Sequence, residues 1–116
     1  MKTLDTLYKK TLDWSYDRGI LTNGNAQTQT LKLMSEMGEL ADNVAKGKDV
    51  KDDIGDCLVV LANIASLSNT NLVECWSQAY DDIKDRKGFL NADGIFIKES
   101  DPAYKQLKLE FEKDEK

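Results

Sequence analysis

The sequence predicts an all-α fold, a bundle of four to five helices completed by oligomerisation, with a short extended segment near its C-terminus. Two observations carry that prediction. Apolar residues recur at steps of three and four through most of the chain, without proline until Pro102, and turn formers fall between the periodic stretches. The 116 residues, 41% hydrophobic and 32% charged, make one domain with a modest core, of the kind small helical subunits finish by association.

Leu4, Leu7, Tyr8, Leu12 and Trp14 predict a first helix over 3–18, ended by Arg18-Gly19. Residues 20–25 read as a connection, with Asn23-Gly24-Asn25 as its breaker. Asn25 or Thr28 caps a second helix running to about Lys46. Its apolar stripe is Leu33, Met34, Met37, Leu40, Ala41 and Val44, and Gly47 stops it. Asp49 is the expected N-cap of a third helix, whose first-turn acids suit the helix dipole. Ile54, Cys57, Leu58, Leu61, Ala62 and Ala65 form its main stripe, with Val59, Val60 and Ile64 on a second side. A helix so widely apolar is covered by two neighbours, in a bundle or across a subunit interface.

Residues 68–71 make a turn, and Leu72, Val73, Trp76, Ala79, Tyr80 and Ile83 define a fourth helix ending in the basic run 84–87. From Phe89 the period changes. Asp93-Gly94 signals a turn, and Ile95-Phe96-Ile97 reads as a short strand or extended arm. Asp101-Pro102 opens a last short helix whose tail alternates and frays. The chain thus reads as a single domain, with its core at 3–88 and a C-terminal arm at 89–116.

Composition removes several functions. There is no histidine, which excludes imidazole acid–base chemistry and histidine metal sites. The net charge of −5 disfavours a nucleic-acid polymer as partner, and an anionic substrate would need a cation as intermediary. Cys57 and Cys75 fit no zinc spacing, and Cys57 reads as a small core residue. The N-terminus MKTLDTLYKK has no apolar leader core, and no run of about 20 apolar residues appears. These features predict a soluble cytoplasmic protein without membrane contact.

Glu36 and Glu39, then Asp53 and Asp56, are i,i+3 pairs, so each pair projects from one helix face beside an apolar stripe. Facing stripes across the short turn at Gly47 would bring the four acids together along one edge of the helix seam. Asn63, two turns beyond Asp56, adds a neutral ligand. Two such charges about 5 Å apart cost roughly 3 kcal/mol at an effective dielectric near 20. A cation resolves that repulsion, and oxygen-only ligands select Mg²⁺ first and Mn²⁺ second. Alone, the Glu36/Glu39 pair reads as a solvated face and the Asp53/Asp56 pair equally as N-terminal acids that suit the helix dipole; together they point to a metal site.

The segments SEMGELADNVAKG and DDIGDCLVVLANIA resemble the MazG-like all-α nucleoside triphosphate pyrophosphohydrolases, marked by ExxE followed by ExxD. Glu36 and Glu39 match the first pair, and Asp53 and Asp56 the second. The resemblance is strongest over 27–65 and extends from Trp14-Ser15-Tyr16-Asp17-Arg18-Gly19. It reaches Ile83-Lys84-Asp85-Arg86-Lys87-Gly88 and 93–98, which look like small phage and bacterial members. Asp53 departs from the family's usual Glu, so that corner falls to Asp53, directly or through water, or to Asp52.

The resemblance implies Mg²⁺-dependent hydrolysis of a (d)NTP to monophosphate and pyrophosphate by a homodimer or dimer of dimers. Mg²⁺ would bridge the carboxylates and the triphosphate. Glu36 and Glu39 are the catalytic candidates, with Glu36 preferred as water activator. Lys84, Arg86 and Lys87 are candidates for phosphate oxygens, and Trp14 for base stacking or packing. Gln27 and Gln29 are candidates for base contacts. Competing readings are a dUTP- or dCTP-specific pyrophosphatase, a phosphoribosyl-ATP hydrolase lacking its branch's signature, and a non-catalytic helical adaptor.

Overall fold

Helical periodicity is realised through most of the chain. The computed structural model describes residues 2–114. Among them, six helices and one two-stranded hairpin appear in the order α1 (Leu4–Asp17), α2 (Ile20–Asn23), α3 (Ala26–Ala45), α4 (Lys51–Leu67), α5 (Leu72–Ile83), β1 (Gly88–Leu90), β2 (Phe96–Lys98) and α6 (Tyr104–Asp114). The fold is all-α, as predicted. It divides within α5 into two compact units, one ending at Trp76 and the other beginning at Ser77.

In the first unit the helix ends follow local chemistry. Thr3 and Thr6 form a reciprocal capping box on α1. The predicted connection at 20–25 instead contains the one-turn helix α2. Gly19 at φ 80° starts it, and Gly24 closes it against the Ile20 carbonyl, where a side chain would collide. Asn25, not Thr28, caps α3, its Oδ1 accepting from Thr28 N at 2.8 Å. Gly47 at φ 67° turns the chain out of α3. Asp49 is not the N-cap of α4. Val50 holds that position, and Asp49 Oδ1 reaches over it to accept from Lys51 N at 3.0 Å, a turn that Asp side chains favour.

The helix α4 is central to this unit and packs against α1, α2 and α3. Its buried apolar residues are Cys57, Val60, Ala62 and Ala65. The expected single stripe is therefore split, because Ile54, Leu58 and Leu61 remain largely exposed. A larger correction concerns α3. Its residues nearest the interior are Ala26, Gln29, Leu33, Glu36, Leu40 and Asn43, a 3-4-3-4-3 series. Met34, Met37 and Val44, assigned to the inward stripe from the sequence, are exposed. The face turned to α4 is rotated by about one residue from the predicted one, which carries Glu36 into the seam instead of along its edge. Tyr8 of α1 accepts Leu72 N at 2.8 Å and so caps the start of α5.

In the second unit, β1 and β2 pair antiparallel with Phe89 opposite Ile97. The strand at 88–90 lacks the alternation that marked its partner; it is defined by pairing. Asn91 Oδ1 accepts from Asp93 N and Ile95 N, and Gly94 takes φ 78° in the turn. Gly88 has no room for a Cβ beneath Phe96 and the Ile97 carbonyl. The tail that looked alternating is helical through Asp114, since Phe89 packs on Tyr104 (5.7 Å) and Phe111 (5.2 Å) and holds α6. Of the final charged residues expected to fray, those to Asp114 are helical, and 115–116 lie outside the described residues.

Candidate active site

The α3–α4 seam is unusually polar, and its register explains why. Gln29 meets Asn63 near one end, Glu36 and Asp56 share the middle, and Asn43 meets Asp53 near the Gly47 turn. These contacts make the helices antiparallel neighbours. Polar residues recur every seven positions on α3, at 29, 36 and 43, and Asp56 and Asn63 keep that spacing on α4.

At the turn end, Asn43 Nδ2 donates to Asp53 Oδ2 at 2.9 Å, and Asp53 is only 8% exposed. One carboxylate oxygen is thus engaged. Glu36 Oε2 in mid-seam is shielded from solvent without a hydrogen-bond partner. Burial pushes the Glu36 carboxyl above its ordinary value, and repulsion from Glu39, Asp56 and Asp52 adds to the rise, against a smaller opposing effect of Lys32. Cys57 lies in the same acidic field. Burial and the charges of Glu36, Asp56 and Asp53 hold its thiol above the ordinary value, so it stays protonated and inert.

Beside Glu36 opens a cavity of about 210 Å³, lined by Trp14, Ile20, Gln29, Lys32, Glu36, Asp56, Val59, Val60 and Asn63. Five residues singled out by the sequence therefore meet there: Glu36, Asp56, Asn63, Trp14 and Gln29. Trp14 is 48% exposed and carries the Arg18 guanidinium 5.6 Å from its ring centre. Asn63 is 2% exposed and already bonded on both sides, accepting from Ser15 Oγ at 2.6 Å and donating to Gln29 Oε1 at 3.1 Å. Gln29, not the exposed Gln27, faces the cavity.

Glu39 is exposed one turn beyond Glu36, near enough to act on its charge. Among the described residues, no three acids or thiols stand close enough to form a finished cation cage. In chemistry the donor set nonetheless fits a hard divalent ion. It is all carboxylate and amide oxygen, and it contains a partnerless buried carboxylate oxygen surrounded by like charge. Two contributors were missed from the sequence. Lys32 is exposed but lines the cavity, and Ser15, fully buried, is a lone serine inside a helix pattern to which the sequence assigned no role.

Lys84, Arg86 and Lys87 belong to the second unit. Lys84 lies 3.4 Å from Asp81, an exposed i,i+3 pair. Arg86 and Lys87 line a shallow depression with Asp85, Glu99 and Ser100, so nearby acids answer part of their charge.

The profile of the MazG nucleotide pyrophosphohydrolase domain matches residues 25–87. That span contains both acidic pairs, Gln29, Lys32 and Asn63. A protein of Haemophilus phage HP1 (strain HP1c1), described as an uncharacterized 18.2 kDa protein in the rep-hol intergenic region, is 40% identical over 75 residues. The match covers 63% of this chain and 46% of the phage protein, so the chain spans about half the length of that relative. No solved structure matches the chain.

Proposed function

The chain belongs to the MazG nucleotide pyrophosphohydrolase family, and from that premise we propose that it hydrolyses (d)NTPs to nucleoside monophosphate and pyrophosphate in a Mg²⁺-dependent reaction. The observation that carries this reading is the Glu36 carboxylate, shielded and partnerless at Oε2, on the wall of the same cavity as Asp56. Glu36, Glu39, Asp53 and Asp56 would hold the ion. A bound Mg²⁺, or Mn²⁺ in its place, supplies neutralisation of triphosphate charge and a more acidic water.

The protein's own side chains do the rest. Glu36, whose carboxyl is pushed upward, accepts the proton of the attacking water at Oε2. Lys32 on the cavity wall offsets phosphate charge, and Trp14 gives a planar ring a face to lie on. Incubation with a panel of (d)NTPs and Mg²⁺, following pyrophosphate release, tests the reading. A folded sample that releases none from any of them refutes it and favours the adaptor reading.

We also propose that the working form is a homodimer or dimer of dimers. Met34 (66% exposed), Met37 and Val44 on α3 and Ile54, Leu58 and Leu61 on α4 form apolar faces that a monomer leaves in water. Burying a large apolar side chain is worth about 1.5–3 kcal/mol, and the first unit buries few of them. Sedimentation equilibrium checks this; a monomer at micromolar concentration refutes it.

A further inference from the structure

The cavity beside α3 and α4 has two chemically different ends. Gln29 and Glu36 are two helical turns apart on α3, about 10 Å along its axis, and Asp56 and Asn63 keep the same spacing on α4. The acidic end carries the reaction proposed above. The amide end has no part in that chemistry, yet it contains the most completely buried polar chain in the first unit.

That chain has a direction. Ser15 Oγ, with no exposed surface, gives its one proton to Asn63 Oδ1 at 2.6 Å. Asn63 then donates through Nδ2 to Gln29 Oε1 at 3.1 Å. With Oε1 turned to Asn63, Gln29 offers the N–H groups of Nε2 to the cavity it lines. Trp14 and Ile20 supply apolar surface. At about 210 Å³ the cavity suits one ring and not a whole nucleotide.

We infer that Ser15 is a positioning residue which, through Asn63, fixes Gln29 as a donor, so that this end of the pocket selects a base with a carbonyl at the contacted edge over one with an amine there. Uracil and cytosine differ in this way at C4. An amine facing Gln29 Nε2 sets donor against donor, so the hydrogen bond that a carbonyl would accept there is lost. The inference rests on reading the cavity as a nucleotide site.

The test is calorimetric binding of dUMP and dCMP to the full-length protein with Mg²⁺. The wild type is expected to bind dUMP about tenfold more tightly, the effect of one well-placed hydrogen bond. Ser15→Ala, which frees Asn63 and Gln29 to rotate, brings the ratio to about twofold or less. Gln29→Glu keeps an oxygen for Asn63 Nδ2 but turns an acceptor to the cavity, and it favours dCMP. Equal affinities in the wild type, an unchanged ratio in Ser15→Ala, a retained dUMP preference in Gln29→Glu, or no binding of either nucleotide each overturns the inference. If Ser15→Ala does not fold, Gln29→Glu decides. A preference for dUMP in a protein that hydrolyses no (d)NTP refutes the proposed reaction and leaves this inference standing. Hydrolysis without the preference refutes the inference alone.

Discussion

The Asn43–Asp53 hydrogen bond offers a sharp test of how the acidic seam is held. Asp53 is 8% exposed and accepts from Asn43 Nδ2 at 2.9 Å across the α3–α4 turn. A hydrogen bond to a charged group is worth about 1.5–3 kcal/mol net. Asn43→Ala removes it, but Ala is the better helix former by roughly 0.6 kcal/mol at an interior position of α3. The expected net loss is therefore about 1–2.5 kcal/mol. A double-mutant cycle with Asp53→Ala cancels the propensity change and isolates the pair, with an expected coupling of about 1.5–3 kcal/mol. Urea unfolding at one fixed protein concentration in EDTA reads all four variants without metal. A coupling below about 0.5 kcal/mol, the ordinary limit of additivity, refutes the view that this bond ties the two helices at the site.

Three further outcomes follow from the same seam. Glu36 has its folded-state carboxyl raised above the ordinary 4.5, so the folded protein binds its proton more readily than the unfolded chain. Stability from this group therefore falls as pH rises through the window above 4.5, and Glu36→Gln raises the metal-free melting temperature at pH 7 but not below pH 4.5; an equal effect at both pH values refutes the assignment. Mg²⁺ at 100 times its Kd stabilises the wild type by about 2.7 kcal/mol, and Glu39→Gln abolishes both that shift and turnover; a shift surviving in the variant removes Glu39 from the ion's ligands. Gly38 and Gly55 lie inside helices, each between the two acids of its pair, with open space where a Cβ would stand. Gly38→Ala should stabilise the helix by up to about 1 kcal/mol, and a measured destabilisation would mean that a partner or ligand occupies that space.

Much of this molecule is legible locally. Asn25 capping α3, the Gly47 stop and the turn at Gly94 depend on side-chain and φ preferences within a few residues, and each appears where the sequence places it. Asp49 missed by one position because its short side chain can bond an amide two residues on, which makes the boundary of α4 ambiguous from sequence. The helix through Leu107 and Phe111 was hidden for a different reason: its alternation is overruled by Phe89, a partner at the far side of the hairpin.

What the sequence by itself determined is the helical class, the order of helices α3 and α4, and the two acidic pairs, because period and i,i+3 spacing are properties of a single helix. What only the tertiary structure decided is which side of α3 turns inward. Leu33, Glu36, Leu40 and Asn43 form one helical stripe, and Met34, Met37, Ala41 and Val44 form another a single residue away. Apolar periodicity states that a face is covered but not by what. In the structure α4 takes the mixed stripe, which places Glu36 in the seam beside Asp56, and the more apolar stripe is left facing outward.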